Sequence, residues 1–122
     1  LSPKRILVTE DDPSIRCLLA TILRRASYDV DTAANGRDAV EKAQQTSYDV
    51  IVLDLMMPVM SGAEVLASLT SRTTNPRFVV ILSAAPLEDL AMANGANVFA
   101  TLQKPSGIHD VLSTVDACIA AE

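Results

Sequence analysis

Aromatic residues are scarce in this chain, at 3%, with two Tyr, two Phe and no Trp. A core must therefore be assembled from Val, Ile, Leu, Ala and Met, which the total hydrophobic content of 49% allows. Cysteine is nearly absent too. Cys17 and Cys118 stand far apart, and no Cys or His cluster has the spacing of a zinc site. Both are expected to be buried or half-buried thiols in a reducing compartment. Positive charge is in deficit: 10 Lys+Arg against 15 Asp+Glu give a formal net charge of −5. That balance argues against nucleic-acid binding by these residues, because phosphate contacts need a basic patch. No apolar run approaches the roughly 20 residues that span a bilayer, and no secretory signal is visible. The expected setting is cytoplasmic, without a membrane role. Repeats and low-complexity segments are also missing, and 122 residues suit one domain, residues 1–122. The chain begins with Leu1 rather than Met, as a domain excised from a longer protein would.

What is present is an alternation of short apolar runs and amphipathic stretches. Lys4 to Thr9 reads as a strand. Glu10, Asp11 and Asp12 follow, and then Pro13 opens a helix. Pro is favoured at the first helical position, so Asp12 is the expected N-cap. Ile15, Leu18, Leu19, Ile22 and Leu23 recur at helical spacing and predict one apolar face. Arg24 and Arg25 fall in the last turn, where cations suit the helix dipole. Tyr28 to Ala33 alternates as a second strand, Asn35-Gly36 signals a turn, and Asp38 to Gln45 reads as helix. Val50 to Leu53 is a strand apolar on both faces, and it runs straight into Asp54, with Pro58 and Gly62 marking the loop beyond. A helix over 63–71, a buried strand Phe78 to Leu82 ending in Ser83, and an Ala-rich helix over 87–93 come next. The last strand, Val98 to Leu102, leads to Gln103, Lys104 and Pro105. The final helix starts at Gly107, with Ile108, Val111, Leu112, Val115 and Ile119 on its apolar side.

Five βα units predict an α/β fold with a parallel five-stranded sheet covered on both faces, a three-layer sandwich. In such sheets ligands bind beyond the carboxyl ends of the strands, where the strand order reverses. The polar residues that interrupt the apolar runs fall at those ends: Glu10 and Asp11, Asp54, Ser83 and Lys104. Taken singly, each has a bland explanation as a cap, a turn residue or a solvated lysine. The coincidence of all four groups at one edge is harder to explain that way. Crowded carboxylates repel one another, and a divalent cation removes the conflict. Mg2+ suits the ligands on offer, with Asp11 and Asp54 as direct ligands and Glu10 acting through water. Asp12 is excluded because capping occupies its carboxylate. Asp54 would then be a nucleophile toward a phosphoryl group, giving an acyl phosphate. The Lys104 ammonium and the Ser83 hydroxyl would serve the remaining phosphoryl oxygens.

Four stretches occur together and in order: Ile6-Leu7-Val8-Thr9-Glu10-Asp11-Asp12-Pro13; Val52-Leu53-Asp54-Leu55-Met56-Met57-Pro58 with Gly62; Ile81-Leu82-Ser83-Ala84; and Lys104-Pro105. On these the chain resembles the response-regulator receiver domain of two-component signalling, over essentially its whole length. The resemblance implies a flavodoxin-like (βα)5 fold with strand order 2-1-3-4-5. It implies Asp54 as phosphoacceptor, Glu10 and Asp11 as the acidic pair, and a metal ligand from the backbone carbonyl of Met56. The metal would be Mg2+ or Mn2+. Ser83 matches the hydroxyl switch residue, and Lys104 the lysine that precedes a cis-Pro, here Pro105. The phosphoryl donor would be a phosphohistidine on a sensor histidine kinase or a phosphotransfer protein of a bacterial phosphorelay. An output domain or downstream protein would read the signal, and a phosphorylation-dependent dimer is one form of readout. The domain would assist its own phosphorylation and dephosphorylation without being a conventional enzyme.

Two departures stand out. Thr101 occupies the place, three residues before the lysine, where many receivers carry Tyr or Phe. The stretch from Gly95 to Lys104 is also about two residues longer than the commonest receiver spacing. Met56 and Ala85 flank the site without a polar group to orient water, which favours slow loss of the phosphoryl group. An aspartate-nucleophile phosphatase would need a second acid two residues after Asp54, where Met56 stands. A nucleotide-binding domain would need a Gly- or hydroxyl-rich loop after the first strand, and this loop is acidic. A receiver fold kept only as an interaction module is the remaining alternative; the intact acids, Ser83 and Lys104 speak against it. His109 is expected to be a solvated helix-start residue, Tyr28 and Tyr48 to pack beside strands, and Met56, Met57 and Met60 to fill gaps near the site.

Overall fold

The computed structural model describes residues 3–54, 78–83, 98–103 and 108–121. Five strands form one parallel sheet: β1 (Arg5–Thr9), β2 (Asp29–Ala33), β3 (Val50–Asp54), β4 (Phe78–Ser83) and β5 (Val98–Gln103), in the order β2-β1-β3-β4-β5. The described helices are α1 (Pro13–Arg25), α2 (Gly36–Gln45) and α3 (Ile108–Ala120). The helices expected over 63–71 and 87–93, the Met56–Met60 cluster, Ala85 and the Lys104–Pro105 peptide lie outside the described residues.

The two-residue period of a strand sends alternate side chains to opposite faces. Leu7, Ile51, Leu53, Val79 and Ile81 pack on one face with Ala39 and Ala43 of α2. Ile6, Val8, Val50, Val52, Val80 and Leu82 pack on the other with Leu19, Ala20 and Leu23 of α1 and Val111, Val115 and Cys118 of α3. The sheet is thus the middle of three layers, and its central strands are apolar on both sides because both sides are covered. Each such Val, Leu or Ile contributes about 1.5–3 kcal/mol through burial.

Helix α1 is capped as its sequence predicts. The Asp12 carboxylate accepts from the Ser14 and Ile15 amides at 2.8 and 3.2 Å, and Pro13 follows at the first helical position. Its far end carries no glycine, yet Ser27 takes a left-handed φ of 74°. The Ser27 and Tyr28 amides donate to the Arg24 and Leu23 carbonyls at 3.0 and 3.2 Å, which satisfies the last turn. The expected apolar face of α1 is corrected in part. Leu19, Ala20 and Leu23 are buried, but Ile15 and Leu18 are 38% and 48% exposed. Leu18 lies about 100° around the helix from Leu19, and Ile15 sits in the first turn, at the carboxyl edge of the sheet. Cys17 is exposed rather than buried, while Cys118 is buried, and neither forms a disulfide.

Asn35 is the N-cap of α2 rather than a turn residue alone, accepting from the Asp38 amide at 2.9 Å. Strand β2 is one edge of the sheet. Its residues 29 and 33 bond back toward β1 (Asp29 N to the Lys4 carbonyl, Glu10 N to the Ala33 carbonyl), so the Val30 and Thr32 carbonyls face outward. Arg24 Nη2 donates to the first at 2.9 Å, and Lys42 Nζ donates to the second. Two basic side chains thereby occupy an edge that could otherwise pair with another chain.

Candidate functional site

Strand order reverses between β1 and β3, because β1 pairs with β2 on one side and β3 on the other. The register there is Thr9↔Leu53, so the next residues, Glu10 and Asp54, lie side by side at the carboxyl edge. On the far side of β3, Asp54 pairs with Leu82, one residue before Ser83. Ser83 pairs in turn with Gln103, the residue that precedes Lys104 in the sequence. Backbone register alone therefore brings Glu10, Asp54, Ser83 and Gln103 to a single edge. Asp54 is the last residue of β3 rather than the first residue past it.

One carboxylate oxygen from each of Glu10, Asp11 and Asp54 lies within 4.8 Å of the others. Glu10 and Asp54 are only 1% and 2% exposed, whereas Asp11 is exposed. Three hard oxygen donors at that spacing match the preference of Mg2+ or Mn2+ and offer nothing to a softer metal. Asp12, excluded from the site in the sequence, is occupied as the cap of α1. Lys104 and Met56 lie outside the described residues, and Ser83 is described only as the last residue of β4.

Strand β5 accounts for part of the long spacing before Lys104. Val79 pairs with Val98, but Val80 pairs with Ala100, so one extra residue, Phe99, is absorbed by an irregularity in β5. Beyond it Thr101 pairs with Ile81, and the ladder runs in register to Ser83↔Gln103. Thr101 is thus an ordinary ladder residue at the position where an aromatic is common.

Two features had no counterpart in the sequence reading. Thr9, the last residue of β1, is fully buried, and its Oγ1 has no hydrogen-bond partner among the described residues. Arg16, half-buried on α1, reaches back so that Nη1 donates to the Glu10 carbonyl at 2.9 Å and to the Asp11 carbonyl at 3.5 Å. Nothing in the spacing Glu10-x5-Arg16 distinguishes such a reach from a solvated arginine.

The response regulator receiver domain family matches residues 6–116. The chain belongs to that family. It is 33% identical over 119 residues to the transcriptional regulatory protein PdtaR of Mycobacterium tuberculosis, covering 96% of this chain and 57% of that protein. Among solved structures, the chemotaxis response regulator CheY4 of Vibrio cholerae superposes with a TM-score of 0.86 at 29% identity, covering 96% of this chain and 99% of that one. The response regulator TrrA of Thermotoga maritima, solved in complex with Mg2+–BeF, gives 0.82 at 30% identity, covering 94% and 98%. The chain spans about half the length of the curated relatives it matches. As a receiver domain it is a module of two-component signalling, a family that binds Mg2+ at an acidic site and works with histidine kinases or phosphotransfer proteins. No helix among the described residues is long and apolar enough to cross a membrane.

Proposed function

We propose that Asp54 accepts a phosphoryl group from a phosphohistidine and that this modification switches the surface read by an output domain or downstream protein. The observation that carries the proposal is the convergence of Glu10, Asp11 and Asp54 within 4.8 Å at the carboxyl edge of the sheet. An Asp54 oxygen attacks phosphorus in line with the departing imidazole nitrogen. The O–P bond forms as the P–N bond breaks, and the electron pair stays on the imidazole, which is protonated by solvent. Asp11 and Asp54 would hold Mg2+ or Mn2+ directly, with the Met56 carbonyl, and Glu10 would hold it through water. A divalent cation bound there supplies neutralisation of the phosphoryl oxygens. Ser83 would donate a hydroxyl to one phosphoryl oxygen and Lys104 an ammonium to another.

The nearly two negative charges added at Asp54 would bias two conformations of the domain through those two contacts. Readout would use the segment from about residue 87 to Ile119, with Thr101 in place of an aromatic switch, and dimerisation is one form it could take. The domain, residues 1–122, acts on itself rather than turning over a separate substrate, in a cytoplasmic bacterial phosphorelay. TrrA crystallised with Mg2+–BeF supports the metal and phosphoryl roles by analogy.

The test is incubation with a small phosphodonor and Mg2+, read by intact mass. The wild type is expected to gain one phosphoryl group and Asp54→Asn none, with both folded. No gain in a folded wild type would favour an interaction module, and turnover of a phosphomonoester would favour a phosphatase.

A further inference from the structure

We propose that Arg16 is a positioning residue for the acidic site: its guanidinium holds the turn carrying Glu10 and Asp11 and thereby sets the affinity for a divalent cation. This rests on the metal reading of the Glu10–Asp11–Asp54 cluster. The turn is held on several sides. The Glu10 amide donates to the Ala33 carbonyl at 3.1 Å, which extends the β1–β2 ladder by one residue. The Asp12 amide donates to Glu10 Oε1 at 3.3 Å, and the Asp12 carboxylate caps α1. Arg16 Nη1 adds a bond to each of two carbonyls in this turn, that of Glu10 at 2.9 Å and that of Asp11 at 3.5 Å. The Arg16 amide bonds the Asp12 carbonyl at 2.9 Å, so the guanidinium is anchored by the same helix that Asp12 begins.

Asp11 shows why this matters. It is exposed, so packing does not direct its side chain toward Glu10 and Asp54. Its aim depends on the peptide planes on either side of it, and Arg16 is bonded to the carbonyl of each. Repulsion among three crowded carboxylates favours opening of the turn in the absence of a cation, and the guanidinium bonded to its carbonyls opposes that movement.

Charge and positioning predict opposite signs. If Arg16 were only a nearby positive charge, removing it would strengthen cation binding. If it positions the turn, removing it weakens binding, as loss of a group that orients metal ligands does, by about tenfold or more. Calorimetric Mg2+ titration of the full chain separates the two, with folding checked by circular dichroism. The expected order of affinity is wild type, then Arg16→Lys, which keeps the charge and a donor but not the reach and planar geometry of the guanidinium, then Arg16→Met. Arg16→Met binding as tightly as wild type, or tighter, overturns the proposal. Should Arg16→Met fail to fold, Arg16→Lys decides: weaker binding supports positioning and unchanged binding overturns it. A wild type that binds no Mg2+ overturns the metal reading itself and the role of Arg16 with it.

Discussion

The two ends of the sheet use carboxylates in opposite ways. At the amino end, Asp49 Oδ2 accepts from the Arg5 amide at 2.8 Å, the Asp49 amide returns a bond to the Arg5 carbonyl at 2.8 Å, and its carbonyl accepts from the Phe78 amide at 3.0 Å. One aspartate thus ties together the starts of β1, β3 and β4. Asp29 lies 3.7 Å from Arg5 Nε, an exposed pair worth little by itself. Tyr48, just before β3, donates to Asp31 at 2.7 Å, and Tyr28, just before β2, donates to Asp116 on α3. At the carboxyl end three carboxylates are gathered against one another, and the buried Thr9 hydroxyl that ends β1 has no partner among the described residues. The amino end holds the strands in register. The carboxyl end keeps an arrangement that stability alone would not select, which is where functional sites are expected to break local rules.

The contrast can be broken most strongly with metal. At a Mg2+ concentration about 100-fold above its dissociation constant, the wild type is expected to gain roughly 2.7 kcal/mol of stability. Asp11→Asn should lose most of that gain, yet in chelator it should be as stable as wild type or slightly more so, since one repelling charge is gone. Urea melts with and without Mg2+ read both effects. A wild-type curve unmoved by Mg2+ would remove the functional explanation for the crowded end.

Alkaline pH tests the two tyrosine contacts. Burial, with the hydrogen bond and charge of Asp31, holds the Tyr48 phenol well above its ordinary value of 10.0. Burial and Asp116 do the same for Tyr28. The folded state therefore binds these protons more tightly than the unfolded state. Their stabilisation is complete below pH 10 and is lost as pH rises beyond it toward the raised folded values. Melts across that range should steepen with pH in the wild type and flatten in a Tyr28→Phe, Tyr48→Phe double variant.

Smaller effects sharpen the same comparison. Asp49→Ala should cost roughly 1–2 kcal/mol, because it removes the acceptor for the Arg5 amide. Thr9→Val should have the opposite sign, a gain of about 1 kcal/mol, because it removes a buried hydroxyl that has no partner among the described residues, at nearly constant shape. A loss of stability in Thr9→Val would mean that the hydroxyl has a partner in solution, such as a bound water.

Much of this was legible along the chain. Apolar runs alternating with 3.6-residue patterns determine a covered parallel sheet, because a strand apolar on both faces must be buried on both. Asp12 before Pro13 determines the start of α1, because the cap and the first-turn proline act within a few residues. The polar residues at the ends of the first and third strands mark Glu10, Asp11 and Asp54, which the structure gathers into one cluster. Other features depend on packing between distant segments. The Thr9↔Leu53 register sets Glu10 beside Asp54. The extra residue at Phe99 brings Gln103 level with Ser83. The placement of α1 turns Leu19, Ala20 and Leu23 to the core and leaves Ile15 and Leu18 exposed, and the fold of the turn lets Arg16 reach the Glu10 carbonyl. Local sequence determines which residues can form an element and where a charged group interrupts it. Only the tertiary structure decides which neighbours that group meets, because strand register and helix placement are set by the packing of the whole sheet.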